Sequence, residues 1–168
     1  MKNNHHNLIS KNTPIPQGFL KNPIHLFALG FGTGCAPKMP GTIGTLVGIL
    51  LYLPMIYLTW PVYIGVTIAL FLFGIWLCEV TANHLGVHDH GGIVWDEIVG
   101  FLITMTAVPP DWRFVLLGFV LFRLFDIWKP WPISWLDRKV SGGLGIMLDD
   151  VLAGIYALIV LQIIVYLL

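Results

Sequence analysis

Two pairs of neighbouring carboxylates, Asp96-Glu97 and Asp149-Asp150, stand where polar stretches run into apolar segments. Adjacent acids repel, and partial desolvation raises that cost unless a cation or a base lies between them. Hard carboxylate oxygens of this kind suit Mg²⁺. Helix-dipole complementation or N-capping, the plainer role for Asp96-Glu97 and for Asp150, needs one acid and not two. Asp89 offers a further carboxylate upstream. Arg123, Asp126 and Lys129 are spaced i, i+3, i+6, which puts them near one face toward a helix end. As a site, Arg123 supplies a fork and Lys129 a point charge for phosphate, with Asp126 as metal ligand or base. As structure alone, the three form an ion-pair ladder. Lys38 and Thr42 open an apolar helix, where free N–H groups, a hydroxyl and a nearby lysine can hold phosphate; Thr42 also reads as that helix's cap. Gly142, Gly143 and Gly145 read as a loop ahead of Asp149 whose backbone can approach an anion, although plain turns use such glycines too. His84, His88 and His90 read as loop residues without zinc-site spacing, one of which could protonate a leaving alkoxide.

The elements that hold these residues are apolar. Of 168 residues, 57% are hydrophobic and 11% charged, far below the roughly 25% charged residues of soluble domains. The chain therefore reads as an all-α, polytopic membrane bundle of about four to five apolar helices, with its polar site at the cytoplasmic face. The pieces run approximately over 43–57, 62–80, 98–108, 114–128 and 151–168, with 81–97 and 129–150 as polar loops. The third piece is short, so it either extends back through Asp96-Glu97 or is re-entrant. Gly44 and Gly48 form a small-xxx-small pair for close helix packing. Residues 1–23 form a polar arm and 24–168 one membrane-embedded domain. The arm lacks a continuous apolar core, so no cleaved signal peptide is expected.

Charge fixes the expected orientation. With the N-terminus in the cytoplasm, Lys2, Lys11, Lys21, Lys38, Lys129, Arg138 and Lys139 fall on that side, with Arg123 near it, and Arg113 opposite; this follows the positive-inside pattern. Eight of the nine acids lie between Asp89 and Asp150. Asp137, Arg138 and Lys139 look least essential and fall in an amphipathic stretch suited to the membrane surface. No basic patch suggests nucleic acid, and the two cysteines suggest neither a disulfide framework nor zinc. Together the residues point to Mg²⁺-assisted chemistry on a phosphate carried by a lipid.

Three stretches carry a closer resemblance: GFGTGCAPKMPGTIGTL (30–46), GVHDHGGIVWDEIVG (86–100) and FRLFDIWKPWPISWLDRKVSGGLGIMLDDVLAG (122–154). Their combination, PGTxGT, IVxDExxG, FRxxDxxKPxPI and GGxGIMxDDxxAG, resembles the phosphatidylglycerophosphatase A family of bacterial inner-membrane lipid phosphatases. The resemblance implies a Mg²⁺-dependent phosphomonoesterase acting on phosphatidylglycerophosphate in the lipid bilayer, with no other cofactor. Within it, Asp96, Glu97, Asp126 and Asp150 are the expected catalytic residues. Lys38, Thr42, Arg123 and Lys129 are the expected phosphate ligands, and Asp89, Asp96, Glu97, Asp149 and Asp150 the expected metal ligands. No cysteinyl-phosphate loop and no DxDx[TV] motif is present, which favours direct attack by water and leaves a phospho-aspartate open. The competing readings are another Mg²⁺-dependent phospholipid headgroup enzyme, whose phosphotransferase signature is absent, and a small ion or proton transporter, which would place its carboxylates at mid-span.

Overall fold

Several helices begin where the sequence supplies a proline or a side-chain acceptor. In the computed structural model, which describes residues 14–87 and 89–168, Asn22 accepts a hydrogen bond from Ile24 N to cap α1 (Pro23–Ala28). Prolines open α2 (Pro40–Met55) and α3 (Trp60–Leu85), where a missing N–H costs nothing. The ten-residue α4 (Trp95–Thr104) carries Asp96 and Glu97 in its first turn. Asp111 caps α5 (Trp112–Trp128) by accepting from Arg113 N. A short α6 (Ile133–Lys139) leads to α7 (Gly142–Leu167). Two 3₁₀ turns flank α1, and no strand occurs among the described residues. Lys2, Lys11, His88 and most of the polar arm lie outside the described residues.

The α4 helix is the hub. It packs between α2, α3, α5 and α7, and α7 also touches α3, α5 and α6. Ile98, Val99, Phe101 and Leu102 of α4 are fully buried. They join a layer with Leu77, Cys78, Ile146 and Met147 and, deeper, one with Tyr52, Tyr63, Phe122 and Leu161. Close approach of α2 is secured by the expected glycine pair. A β-carbon on Gly44 would sit 2.6 Å from Val94, and one on Gly48 3.2 Å from the Ile98 carbonyl.

Three expectations need correction. The last helix starts at Gly142 and not at Val151, so Gly142, Gly143 and Gly145 are helical and form no anion-cradling loop. The physical reason is a backbone contact: a β-carbon on Gly143 would lie 2.0 Å from the Ile75 carbonyl of α3. Asp150 is consequently not an N-cap; it sits in the third turn of α7. Helix α3 runs on through Thr81 and His84 because Gly86, with φ 69°, is what ends it. Thr81 is buried and bonded to His25, 2.9 Å away, and does not open a loop. Thr42 does not cap α2: Met39 is the N-cap, and no side chain caps that end.

Among the described residues, two helices, α3 and α7, are long and apolar enough to cross a membrane. The others have 17 residues or fewer, α4 rising only about 15 Å. Several nevertheless carry outward apolar stripes at helical spacing, Leu46, Leu50 and Leu53 on α2 and Leu116, Val120, Leu124 and Ile127 on α5.

Candidate active site

Two glycines set the site. A β-carbon on Gly154 of α7 would lie 2.5 Å from the Gly100 carbonyl of α4, and one on Gly100 would lie 2.9 Å from the Asp150 carbonyl. The helices thus cross in backbone contact. Asp96 precedes Gly100 by four residues and Asp150 precedes Gly154 by four, which is one helical turn in each case. The crossing therefore brings both carboxylates to the same level.

Asp96, Glu97 and Asp150 each present one carboxylate oxygen within 4.8 Å of the other two. Asp96 and Asp150 are almost fully buried. Asp96 Oδ1 and Glu97 Oε2 are shut away from solvent without a hydrogen-bond partner. Burial holds the Asp96 carboxyl well above the usual range, and the charges of Glu97 and Asp150 push the same way. Glu97 is held up to about 7, chiefly by burial; its hydrogen bond with Asp96 and the nearby Arg123 pull it down, while Asp126 pushes it up. Buried oxygens without partners are costly, and three carboxylates converging on one point fit a hard divalent cation.

Arg123 flanks this cluster. Its Nη1 pairs with Asp126 Oδ2 and lies 3.8 Å from Glu97 Oε1, while its Nε is buried without an acceptor. Asp126 in turn lies near enough to Asp150 to add to the negative charge there. The α2 entrance closes over the same point. A β-carbon on Gly41 would lie 2.1 Å from Glu97 Oε1 and 3.1 Å from Arg123 Nη1, and the neighbouring Thr42 Oγ1 is buried without a partner.

A second charged group sits beside the first. Lys129 Nζ pairs with Asp149 Oδ2 and stands 3.4 Å from Asp137 Oδ1 of α6. Asp149 is thereby turned to Lys129 and is not one of the three clustered carboxylates. Burial works to lower the Lys129 ammonium, but Asp149 and Asp137 more than offset it and hold it above its ordinary value.

The structure thus brings together Asp96, Glu97, Asp126, Asp150, Arg123 and Thr42, with Lys129 and Asp149 paired alongside. Asp89 is near enough to Asp149 to repel it but is not one of the three clustered carboxylates. Lys38 is exposed in the loop before α2. His90 is buried, and its Nδ1 accepts from Gly92 N at 3.0 Å. Two features go beyond the sequence reading. One is Asp137, expected to be among the least essential charges, whose contact with Lys129 depends on the α5–α6 turn. The other is Glu79, which accepts from Gly143 N and so caps α7 from α3. The signal for the crossing was present as an acid four residues before glycine, in both WDEIVG and DDVLAG.

A family model described as Phosphatidylglycerophosphatase A matches residues 26–165. The protein named Phosphatidylglycerophosphatase A of Escherichia coli strain K12 is 51% identical over 137 residues, 81% of this chain and 80% of that one. Its namesake in Haemophilus influenzae is 47% identical over 94% of this chain and 98% of its own. A Bacteroides thetaiotaomicron protein named Putative phosphatidylinositol-3-phosphatase is 37% identical over 82% of this chain and 91% of its own. No solved structure matches. With the family model spanning both helices of the carboxylate crossing and every element around it, the chain belongs to the phosphatidylglycerophosphatase A family.

Proposed function

We propose that the protein hydrolyses the terminal phosphomonoester of phosphatidylglycerophosphate, releasing phosphatidylglycerol and inorganic phosphate in a Mg²⁺-dependent reaction. The observation that carries this reading is the meeting of Asp96, Glu97 and Asp150 oxygens within 4.8 Å, beside Arg123, in a chain of this family. Those three carboxylates would hold the ion. When bound, Mg²⁺ neutralises phosphoryl oxygens and lowers the pKa of a coordinated water. Arg123, through its unpartnered Nε, binds a phosphoryl oxygen and stabilises charge that grows in the transition state. Thr42 Oγ1 donates to another. Asp126 keeps the Arg123 fork turned inward through its ion pair with Nη1. Lys129 supplies a further cation at the rim. Lys38, exposed ahead of α2, attracts the anionic headgroup at longer range, and Asp89 adds negative charge behind Asp149.

The substrate is a lipid, and we place the protein in a bacterial inner membrane with the site toward the cytoplasm, residues 24–168 forming one domain. Support comes from the outward apolar stripes and from tryptophans at both ends, Trp60 and Trp112 at one and Trp128 and Trp131 at the other, where interfacial Trp is favoured. Lys38, Arg123, Lys129, Arg138 and Lys139 share the site end, whereas Arg113 starts α5 at the other. A transporter would hold its carboxylates at mid-span, but Asp149 and Asp150 occupy the eighth and ninth positions of the 26-residue α7. The test is phosphate release by the purified protein from phosphatidylglycerophosphate, with and without Mg²⁺. Inositol-headed phosphomonoesters serve as the comparison substrates, given the name of the Bacteroides relative. Release that needs Mg²⁺ and prefers the glycerol headgroup supports the reading, and no release with any divalent ion overturns it.

A further inference from the structure

Lys129 ends α5 in the left-handed conformation, φ 43° and ψ 59°, which residues with a β-carbon seldom adopt without support from neighbours. The support comes from two other helices. Asp149 of α7 pairs with Nζ from within, and Asp137 of α6 stands 3.4 Å from it on the other side. Helix α6 is itself fixed at one end by the fully buried Ile133 and by Tyr156 of α7, whose hydroxyl donates to the Trp131 carbonyl at 3.2 Å. Its outer face shows Trp135, and its last turn carries Arg138 and Lys139.

An ammonium has three N–H donors. Asp149 takes a hydrogen bond from Nζ, and the Asp137 carboxylate, 3.4 Å away on a different helix, adds a second ion-pair contact, so the ammonium is held between the two. From this arrangement we infer that Asp137 is a positioning residue: it holds Lys129 so that its remaining donor meets the substrate phosphate. The inference rests on the proposed function and adds a residue to it. Were Asp137 absent, Lys129 would swing onto Asp149 alone and the phosphate would lose a cation at the rim. Asp137 also links the catalytic rim to α6, a short helix that combines an exposed tryptophan with two terminal cations, so a lipid surface against α6 and the phosphate against Lys129 are registered by the same seven residues.

The test uses the full-length protein in mixed micelles of phosphatidylglycerophosphate, with Asp137→Asn, Asp137→Glu and Lys129→Gln. Loss of one charge-assisted contact to phosphate in Asp137→Asn should raise KM about tenfold, with kcat within about twofold because ground state and transition state lose the contact alike. The inhibition constant of inorganic phosphate should rise by the same factor, and Asp137→Glu should recover most of the loss. In the Lys129→Gln background, Asp137→Asn should have no further effect. An unchanged KM, a fall in kcat at constant KM, or an additive double variant overturns the inference. If Asp137→Asn does not fold, Asp137→Glu and Lys129→Gln still decide: unchanged KM and phosphate inhibition in Lys129→Gln removes the cation that Asp137 is said to place. Active wild type with an indifferent Asp137 sinks this inference alone, whereas wild type inactive with every divalent ion sinks the proposed function.

Discussion

Gly41→Ala is the smallest change that should damage the site without touching a charged group. A β-carbon there would lie 2.1 Å from Glu97 Oε1, whereas ordinary contact begins at 3.4 Å. The nearest atom is the tip of a side chain, so the carboxylate and not the helix gives way. Glu97 must retreat by about 1.3 Å, a displacement of the size that costs on the order of 100-fold in rate when it misplaces a reacting constellation. Backbone stability should not fall in step, because alanine in place of glycine favours a helix by about 0.5–1 kcal/mol. The assay is phosphate release from phosphatidylglycerophosphate over a Mg²⁺ titration, together with the thermal midpoint in detergent. The expected outcome is kcat/KM lowered by about 100-fold, a higher Mg²⁺ requirement and a midpoint within a few degrees of wild type. Gly65→Ala on α3, where nothing lies within 4 Å of the added carbon, is the control and should retain full activity. A fully active, folded Gly41→Ala would refute the placement of Glu97 in the metal site.

Replacing each clustered carboxylate, as Asp96→Asn, Glu97→Gln or Asp150→Asn, should abolish turnover and yet raise the metal-free thermal midpoint, because buried like charges are removed; an active variant drops that residue from the site. The pH dependence has a definite sign. Burial holds the Glu97 carboxyl up to about 7, against 4.5 ordinarily, so in the metal-free state its contribution to stability is fully present below pH 4.5 and lost as pH rises through about 7. A divalent ion needs the deprotonated form, so the stabilisation by Mg²⁺ seen in thermal unfolding should be larger at pH 8 than at pH 5.5, and the reverse order would contradict the assignment. Gly154→Ala, with 2.5 Å available against the Gly100 carbonyl, should force α4 and α7 apart, destabilise by about 1–3 kcal/mol and lower activity by separating Asp150 from Asp96; an unchanged midpoint would show that the crossing is looser than described.

Most of the site was legible in the sequence because its chemistry is written in acid pairs and basic residues that a hydrophobic chain has no structural reason to keep. Asp96, Glu97, Asp150, Arg123 and Asp126 could be gathered from residue type and spacing alone. The meaning of the glycines could not. Gly142, Gly143 and Gly145 look like a loop when counted along the chain, and only the closeness of the Ile75 carbonyl shows that they let α7 lie against α3. The helical start of α7 also separates two residues both expected as metal ligands: the side chains of Asp149 and Asp150 leave the helix about 100° apart, and one meets Lys129 while the other joins Asp96 and Glu97. The Asp137 contact was illegible for a related reason: it depends on the turn between α5 and α6, which residue spacing does not encode. Helix existence followed from apolar runs: the five expected apolar pieces correspond to α2, α3, α4, α5 and α7, of which α3 and α7 are long and apolar enough to cross a membrane.

The central claim is that Asp96, Glu97 and Asp150 together hold one divalent ion. Mn²⁺ in place of Mg²⁺ gives a paramagnetic probe whose affinity and ligand couplings can be read by electron paramagnetic resonance on the purified protein. The account predicts a single tight site per chain, with affinity lowered by at least about 10–100-fold in each of Asp96→Asn, Glu97→Gln and Asp150→Asn, and much less in Asp149→Asn. Affinity indifferent to all three, or lost as fully in Asp149→Asn, would contradict it.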